Sequence, residues 1–457
     1  MMVDIDDLAQ KPAAEIARVL ADRRADPVGL TEHYLEKIGR QTSPIFLTVT
    51  ADRARREAEA AARRLKAGRP ASALDGVPMA WKDLVDFRGE TTTAASNIYR
   101  NALAAESDAP ILANAARAGM IALGKVNLSE FAYSGLGLNP HFGTPLNPND
   151  TVTPRAPGGS SSGSGVAVAA GLAPCAIGTD TGGSVRIPAA FNGVVGYKSS
   201  EGRIPARGVF ALSRTLDTVG PLARTVEDCI LLDMVLRGAV TSGVTRRPVE
   251  TLRIFVPETV VLDDLDPAVS ENFEKSLALL EQAGAVVTRG PLPQFAEAAR
   301  LAAELGSITA AEAYVEHRDL VDGPGAANID RRVLARIQGG KAMSAADLIV
   351  LHRARLEGMA AISGLLDGAL LAMPTAPHVA PAIAPLEADD ALFHRINLKT
   401  LRNTVIGNFF NLPGVALPNG TDGGGLPTSF LLCTVGNDDE RLLGAALDVE
   451  RVLRTAG

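Results

Sequence analysis

The sequence predicts an α/β fold built around a largely buried sheet, and three observations point that way. Helical and strand-like segments alternate from about residue 77 onward. Apolar runs of strand length are bounded by Gly and Pro. Aromatic residues make up only 4% of the chain, whereas glycine and alanine abound. Alternation of this kind lays helices over a sheet that is buried on both faces. The composition calls for a core of small and aliphatic side chains. At 457 residues the chain exceeds a usual domain, yet large α/β enzymes of this length share one core. The expectation is one domain over 1–457, with a helical part to about 70, a core of about 71–235 and a last part of about 250–457.

Taken in order, the first third reads as helices: Ala13 to Asp26, Leu30 to Arg40 and Asp52 to Ala67 carry apolar residues at helical spacing. Val77 to Val85 reads as a buried strand with a lysine inside it. A helix from Asp108 to Ala118 ends at Gly119, and Met120 to Lys125 follows as a strand. Residues 139–165 are rich in Pro, Gly, Asn and Ser, a composition that suits a linker. However, Val166 to Leu172 continues at once as a helix and Cys175 to Gly178 as a strand, which places the stretch inside one core. Leu236 to Pro248 is the better boundary loop. Beyond it come a strand (Leu252 to Val256), a helix (Ala268 to Ala283, closed by Gly284) and a strand (Ala285 to Thr288). Helices at Arg331–Ile337 and Ala345–Leu366 precede strands at Gly368–Met373, Gly414–Pro418 and Phe430–Cys433, and a last helix starts at Glu440.

Several function classes are disfavoured. A net charge of -7 argues against unaided binding to nucleic acid or to an anionic membrane. The arginines at 53, 55, 56, 63 and 64 alternate with Glu57, Glu59 and alanine, as on a solvated helix face. Cys175, Cys229 and Cys433 are scattered and odd in number, so they read as reduced thiols. No spacing suggests a metal site, and no cofactor is expected. The acidic start MMVDIDDLAQ lacks a signal-like apolar region, and no long apolar run would span a membrane. A cytoplasmic protein is expected.

Three places carry chemistry: Lys82, the serines at 160–162, and Gly182-Gly183-Ser184. Two glycines beside a serine permit a tight turn that exposes several N–H groups, suited to an oxyanion within reach of the hydroxyl. A phosphate loop is the competing reading, but the Walker pattern with its following lysine is missing. Serine needs a base to act as nucleophile. The six histidines form no cluster, and Ser184 does not sit in a GxSxG elbow. Lysine serves as a base only when neutral, and burial favours that form. Lys82 lies among Val77, Met79, Trp81, Leu84 and Val85, although a lysine there could equally snorkel or pair with Asp83.

The ordered set is far more specific than its parts. Gly76-Val-Pro, Trp81-Lys82-Asp83, Gly158-Gly-Ser-Ser-Ser-Gly-Ser-Gly165 and Gly178-Thr-Asp-Thr-Gly-Gly-Ser-Val-Arg186 together resemble the amidase signature family. Asn127-Leu-Ser-Glu130 and Gly196-Tyr-Lys198 look like further landmarks, and Ser160 and Ser184 stand 24 positions apart, as in that family. The resemblance is strong from about 75 to 225. It implies an α/β/α sandwich around a mixed, mostly parallel central sheet, and a Ser–cis-Ser–Lys triad cleaving a small-molecule amide. Ser184 would attack, and Ser160, on a cis peptide, would relay its proton to Lys82. N–H groups across Thr181, Gly182, Gly183 and Ser184 would form the oxyanion hole. Ser161 would support Lys82, while Asp180 and Arg186 would brace the loop. Gly159, Tyr133 and Arg336 would contact substrate, Arg336 either meeting a carboxylate or standing simply as a surface helix residue.

Two departures bear on the substrate. The alternative reading is the glutaminase (A-type) subunit of a tRNA-dependent amidotransferase. In that relative an acidic residue holds the glutamine amino group, and Leu401 stands at that place here. Many members carry GLPxGxQ, whereas Gly425-Leu-Pro-Thr-Ser-Phe-Leu431 lacks the glutamine. A homodimer is compatible with the resemblance, and an inactive scaffold is disfavoured by the intact Lys82, Ser160 and Ser184.

Overall fold

The structure, a computed structural model, describes residues 3–454. One sheet of eleven strands runs through these residues. In chain order the strands are β1 (Phe46–Val49), β2 (Pro78–Lys82), β3 (Ile121–Val126), β4 (Cys175–Asp180), β5 (Val195–Lys198) and β6 (Thr218–Ala223). They continue with β7 (Arg253–Pro257), β8 (Val286–Gly290), β9 (Leu370–Pro374), β10 (Gly414–Thr421) and β11 (Pro427–Cys433). Across the sheet the order is β1-β3-β2-β4-β6-β5-β10-β11-β9-β7-β8.

The α/β class holds and the sheet is mixed, but its pairings are mostly antiparallel, which corrects the expectation of a mostly parallel sheet. The connections explain the pattern. Parallel neighbours need a crossover, usually helical. Helices Pro110–Arg117 and Pro267–Gln282 supply it between β2 and β3 and between β7 and β8. β10 and β11 are joined by a short turn through Gly425 and must run antiparallel. Two parallel wings, β3-β2-β4 and β9-β7-β8, thus flank an antiparallel centre. β2, β3, β4, β5, β6, β9 and β11 are buried along their whole length, as strands covered on both faces are.

Local chemistry sets the helix bounds. The periodicity expected to run from Ala13 to Asp26 ends at Ala21, and a second helix, Pro27–Gly39, begins with Asp26 as its cap and Pro27 in its first turn. The Gly/Ser-rich stretch is no linker: its last residues open a buried helix, Ser162–Ala169, packed on β4 and β2. Among the elements not read from the sequence, three bear on the site. β6 carries Gly220-Pro221 in a central position. Helix Val226–Arg237 starts on a capping box made by Thr225 and Asp228. Helix Asp390–Phe409 buries Asn397, Thr400, Asn403, Thr404 and Asn408 beside Phe393 and Ile406 while leaving Leu398 and Val405 exposed, so its buried face is mixed and lacks a clean apolar stripe.

The final helix, Asp439–Arg454, is tied to the sheet through its first residue. Buried Asp439 accepts hydrogen bonds from Tyr197 Oη at 2.6 Å, Ser200 N at 2.8 Å and Ser200 Oγ at 2.6 Å. Asp439→Ala would leave these donors buried without an acceptor, costing about 2–4 kcal/mol. A thermal melt should show the variant's Tm lowered by several degrees. An unchanged Tm would mean that water reaches these donors.

Candidate active site

Lys82 closes β2, where Met79, Ala80 and Trp81 are buried in the sheet between β3 and β4. Its side chain is fully buried, and Nζ lies 2.7 Å from Ser160 Oγ and 2.8 Å from Thr179 Oγ1. Burial disfavours the ammonium form and lowers its pKa to about 7, while Asp217 and Asp180 pull the other way. From an ordinary 10.5, this favours the neutral amine by roughly 5 kcal/mol. About half of such lysines are uncharged at neutral pH, compared with about one in three thousand for an exposed one. Thr179 was not singled out from the sequence. The available signal was a hydroxyl on the strand that pairs with Lys82's own.

The Gly159–Ser160 peptide bond is cis. Around it, Ser160 O accepts from Ser129 N and Ser162 N, and Ser161 N donates to Ser184 O at 3.3 Å, so the two serine segments lie against each other. Ser161 does not bond Lys82. Its Oγ bridges the Thr179 N–H and C=O, each at 3.3 Å, and so acts on the lysine only through Thr179. Gly159 packs tightly: its N–H reaches Gly135 O at 2.7 Å, and a side-chain carbon there would lie 2.5 Å from Gly137 N.

The 181–184 turn is organised by Asp180. Its carboxylate accepts from Gly183 N at 2.8 Å, Val185 N at 3.0 Å, Arg186 Nε at 3.0 Å and Nη2 at 2.9 Å, and Asn408 Nδ2 at 2.9 Å. Burial alone would raise its pKa, but the Arg186 charge and these donors hold it well below the carboxylate range. Gly183 N–H is therefore taken up by Asp180. The N–H groups of Thr181, Gly182 and Ser184 have no acceptor among the described residues and are the ones free for an oxyanion. Gly183 has φ of 127°, and a Cβ there would collide with Thr404 Oγ1. Ser184 Oγ makes no hydrogen bond among the described residues, and the residue is 5% exposed. Behind the turn, Lys198 is also fully buried, and burial with the Arg186 charge lowers its pKa to about 8.

Helix Asp390–Phe409 is the part that sequence reasoning missed. Thr404 Oγ1 donates to Gly182 O at 2.7 Å, Asn408 Nδ2 reaches Asp180, and Asn397 Oδ1 accepts from Gly135 N at 2.8 Å. Leu401, in the middle of this helix, and Val405 face the turn: a carbon added at Gly182 would lie 3.8 and 3.6 Å from them. Tyr133 and Arg336 are brought together, the guanidinium 4.3 Å from the ring centroid, and Arg336 Nη1 is buried without a partner. Nearby Glu130 is buried between Ser96 Oγ at 2.5 Å and Asp330 N at 2.6 Å, and burial raises its pKa to about 7. No cluster of three or more metal-ligating side chains occurs among the described residues.

The family model described as Amidase matches residues 29–443. Among curated proteins, 2-amino-5-chloromuconic acid deaminase of Comamonas testosteroni is 34% identical over 96% of both chains. The A-type subunit of glutamyl-tRNA(Gln) amidotransferase from Cupriavidus necator is 32% identical over 94% of both. Among solved structures, an amidase with 28% identity superposes with a TM-score of 0.85 over 96% of this chain and 99% of its own. The A-type subunit of the Thermotoga maritima glutamyl-tRNA(Gln) amidotransferase, 27% identical, gives 0.79 over 99% and 96%.

The electrostatics around the lysine are testable. Asp217 hydrogen-bonds Thr181 Oγ1 at 2.5 Å, its own pKa is raised to about 6 by burial, and its charge opposes the lowering at Lys82. Asp217→Asn removes that charge, so the pKa of Lys82 should fall further. A pH–rate profile of amide hydrolysis should then show its acid limb, near pH 7 in the wild type, displaced to lower pH. An unmoved limb would mean that the limb does not report Lys82.

Proposed function

The chain belongs to the amidase family and is an amidohydrolase, and from that premise we propose that Ser184, Ser160 and Lys82 perform the hydrolysis of a small carboxylic amide. The observation that carries this reading is the fully buried Lys82, held 2.7 Å from Ser160 Oγ with its pKa near neutrality. In the proposed reaction, Ser184 Oγ attacks the amide carbon and its proton passes through Ser160 to Lys82. The oxyanion forms against the free N–H groups of the 181–184 turn. The relay then returns the proton to the departing nitrogen, the C–N bond breaks, and ammonia or an amine leaves. Water, deprotonated by the same relay, cleaves the ester and releases the carboxylic acid. Asp180 and Arg186 hold the turn in shape.

On the acyl side, Arg336 Nη1 is a buried donor without a partner, and Leu401 and Val405 supply an apolar wall. That combination suits an acyl group with a carboxylate and no ammonium. It favours free amidase activity over a glutaminase role, in which the substrate amino group needs an acid where Leu401 stands. The relatives that belong to amidotransferases keep the second reading in view. The chain acts as one catalytic domain in this scheme, since a single sheet runs through it. Three buried, unpaired thiols suit the reducing cytoplasm. A homodimer is the oligomer proposed.

Ammonia release from succinamic acid, propionamide and glutamine, by wild type and by Ser184→Ala, tests the reading. Wild type should hydrolyse succinamic acid best, and Ser184→Ala should lose about 10³-fold or more in kcat. Equal rates from both proteins would remove Ser184 from its role, and a preference for glutamine would favour the amidotransferase reading. Arg336→Gln should raise KM for succinamic acid at least about fivefold while leaving that for propionamide alone.

A further inference from the structure

A second cleft opens beside the lysine relay, which it meets at Thr179. It encloses about 350 Å³ between residues 206–214 and β6, and Thr179 and Asp217 lie among its lining residues. Thr179 is the residue whose hydroxyl touches Lys82 Nζ. Asp217 turns its carboxylate to Thr181 Oγ1, Leu212 N and Ser213 N. Val209, Phe210 and Val219 give the cleft apolar walls, and Arg207 is exposed at its edge.

The wall is held rigidly, and by the segment that directly follows Lys82. Phe210 N donates to Leu84 O at 2.8 Å, Asp86 N donates to Gly208 O at 2.9 Å, and Val85 forms a β-bridge with Val209. The Phe210 ring lies parallel to Phe131, 5.7 Å away, and to His317, 5.1 Å away, so its orientation is set. The charges are unevenly matched. Arg203 is bonded to Asp233 and Glu440, and Arg214 is bidentate to Glu316. Arg207 makes no hydrogen bond or ion pair among the described residues. It is an unpaired cation at the edge of a cleft walled by Phe210.

Which half of a substrate lies here follows from the direction of proton transfer. The carbonyl oxygen must sit at the 181–184 turn, beside Leu401 and Val405. The departing nitrogen must sit within reach of Ser160 Oγ, which hands on the proton held by Lys82, and Thr179 links that lysine to the cleft. We propose that this cleft is the leaving-group subsite, and that it takes a flat amine bearing a carboxylate, its body against Phe210 and its charge paired with Arg207. The proposal rests on the amidase reading and adds the class of amine released. A cation on an arginine at a half-open edge also discriminates by charge without trapping the product, because an exposed pair is weak.

Binding of the free amine tests the subsite without turnover. Ligand-observed NMR titration of 4-aminobenzoate and of aniline should show the acid binding about fivefold tighter to wild type, the worth of one exposed ion pair. Arg207→Gln should bring the two to parity, and Phe210→Ala should weaken both. Equal binding to wild type, or a preference that survives Arg207→Gln, would overturn the proposal. Turnover separates this from the reaction itself. Hydrolysis of succinamic acid with no preference between the two amines would keep the amidase and remove the subsite. Absence of hydrolysis alongside selective binding of 4-aminobenzoate would keep the subsite and remove the assigned reaction.

Discussion

Burial of one amine organises the site. A lysine side chain taken out of water at the end of β2 is stable only as the neutral form, or as a cation with close acceptors. Here it has two hydroxyl neighbours, Ser160 and Thr179, and two more distant carboxylates, Asp217 and Asp180. Hydroxyls accept a proton's hydrogen bond without fixing the charge, as a carboxylate in contact would. The opposing effects of burial and of the two acids leave the amine balanced near neutrality. Contrast Lys125 on the adjacent strand, equally buried but 2.6 Å from Asp83: that pair is a closed structural contact.

The two halves of the site are built by different means. The relay comes from β2, β4 and the turn that leads into the buried helix Ser162–Ala169. It is fixed by strand pairing and by the Asp180–Arg186 pair, both partners fully buried. The acyl side comes from later helices and loops, where Tyr133, Arg336 and Leu401 are brought in by side-chain contacts. Reaction chemistry thus sits on the most rigid part of the molecule, and recognition on parts that can vary without disturbing it.

How much of this was legible depends on where the information lay. Lys82, the serines and the glycine turn are local patterns, and their chemistry could be argued from residue types alone. Strand direction was less accessible, because pairing across β5, β6, β10 and β11 depends on contacts far apart in sequence. Thr179 could not be found by pattern, since its role exists only where β2 and β4 meet. The oxyanion donors depend on the folded turn too: nothing in Thr181-Gly-Gly-Ser184 says that Asp180 will claim the N–H of Gly183. Helix Asp390–Phe409 was invisible for a different reason. Periodicity analysis looks for an apolar stripe, and this helix turns its amides and hydroxyls inward.

That mixed face has a thermodynamic consequence. Apolar burial carries a large heat-capacity change and loosens on cooling, whereas polar exposure contributes with the opposite sign. A helix docked through Asn397, Asn403, Thr404 and Asn408 as well as Phe393 and Ile406 releases more polar surface when it detaches than an apolar-faced helix would. Its attachment should therefore vary less steeply with temperature than that of the purely apolar elements around it. The element that shapes the acyl side of the site thus follows a shallower thermal curve than the apolar fold that carries it.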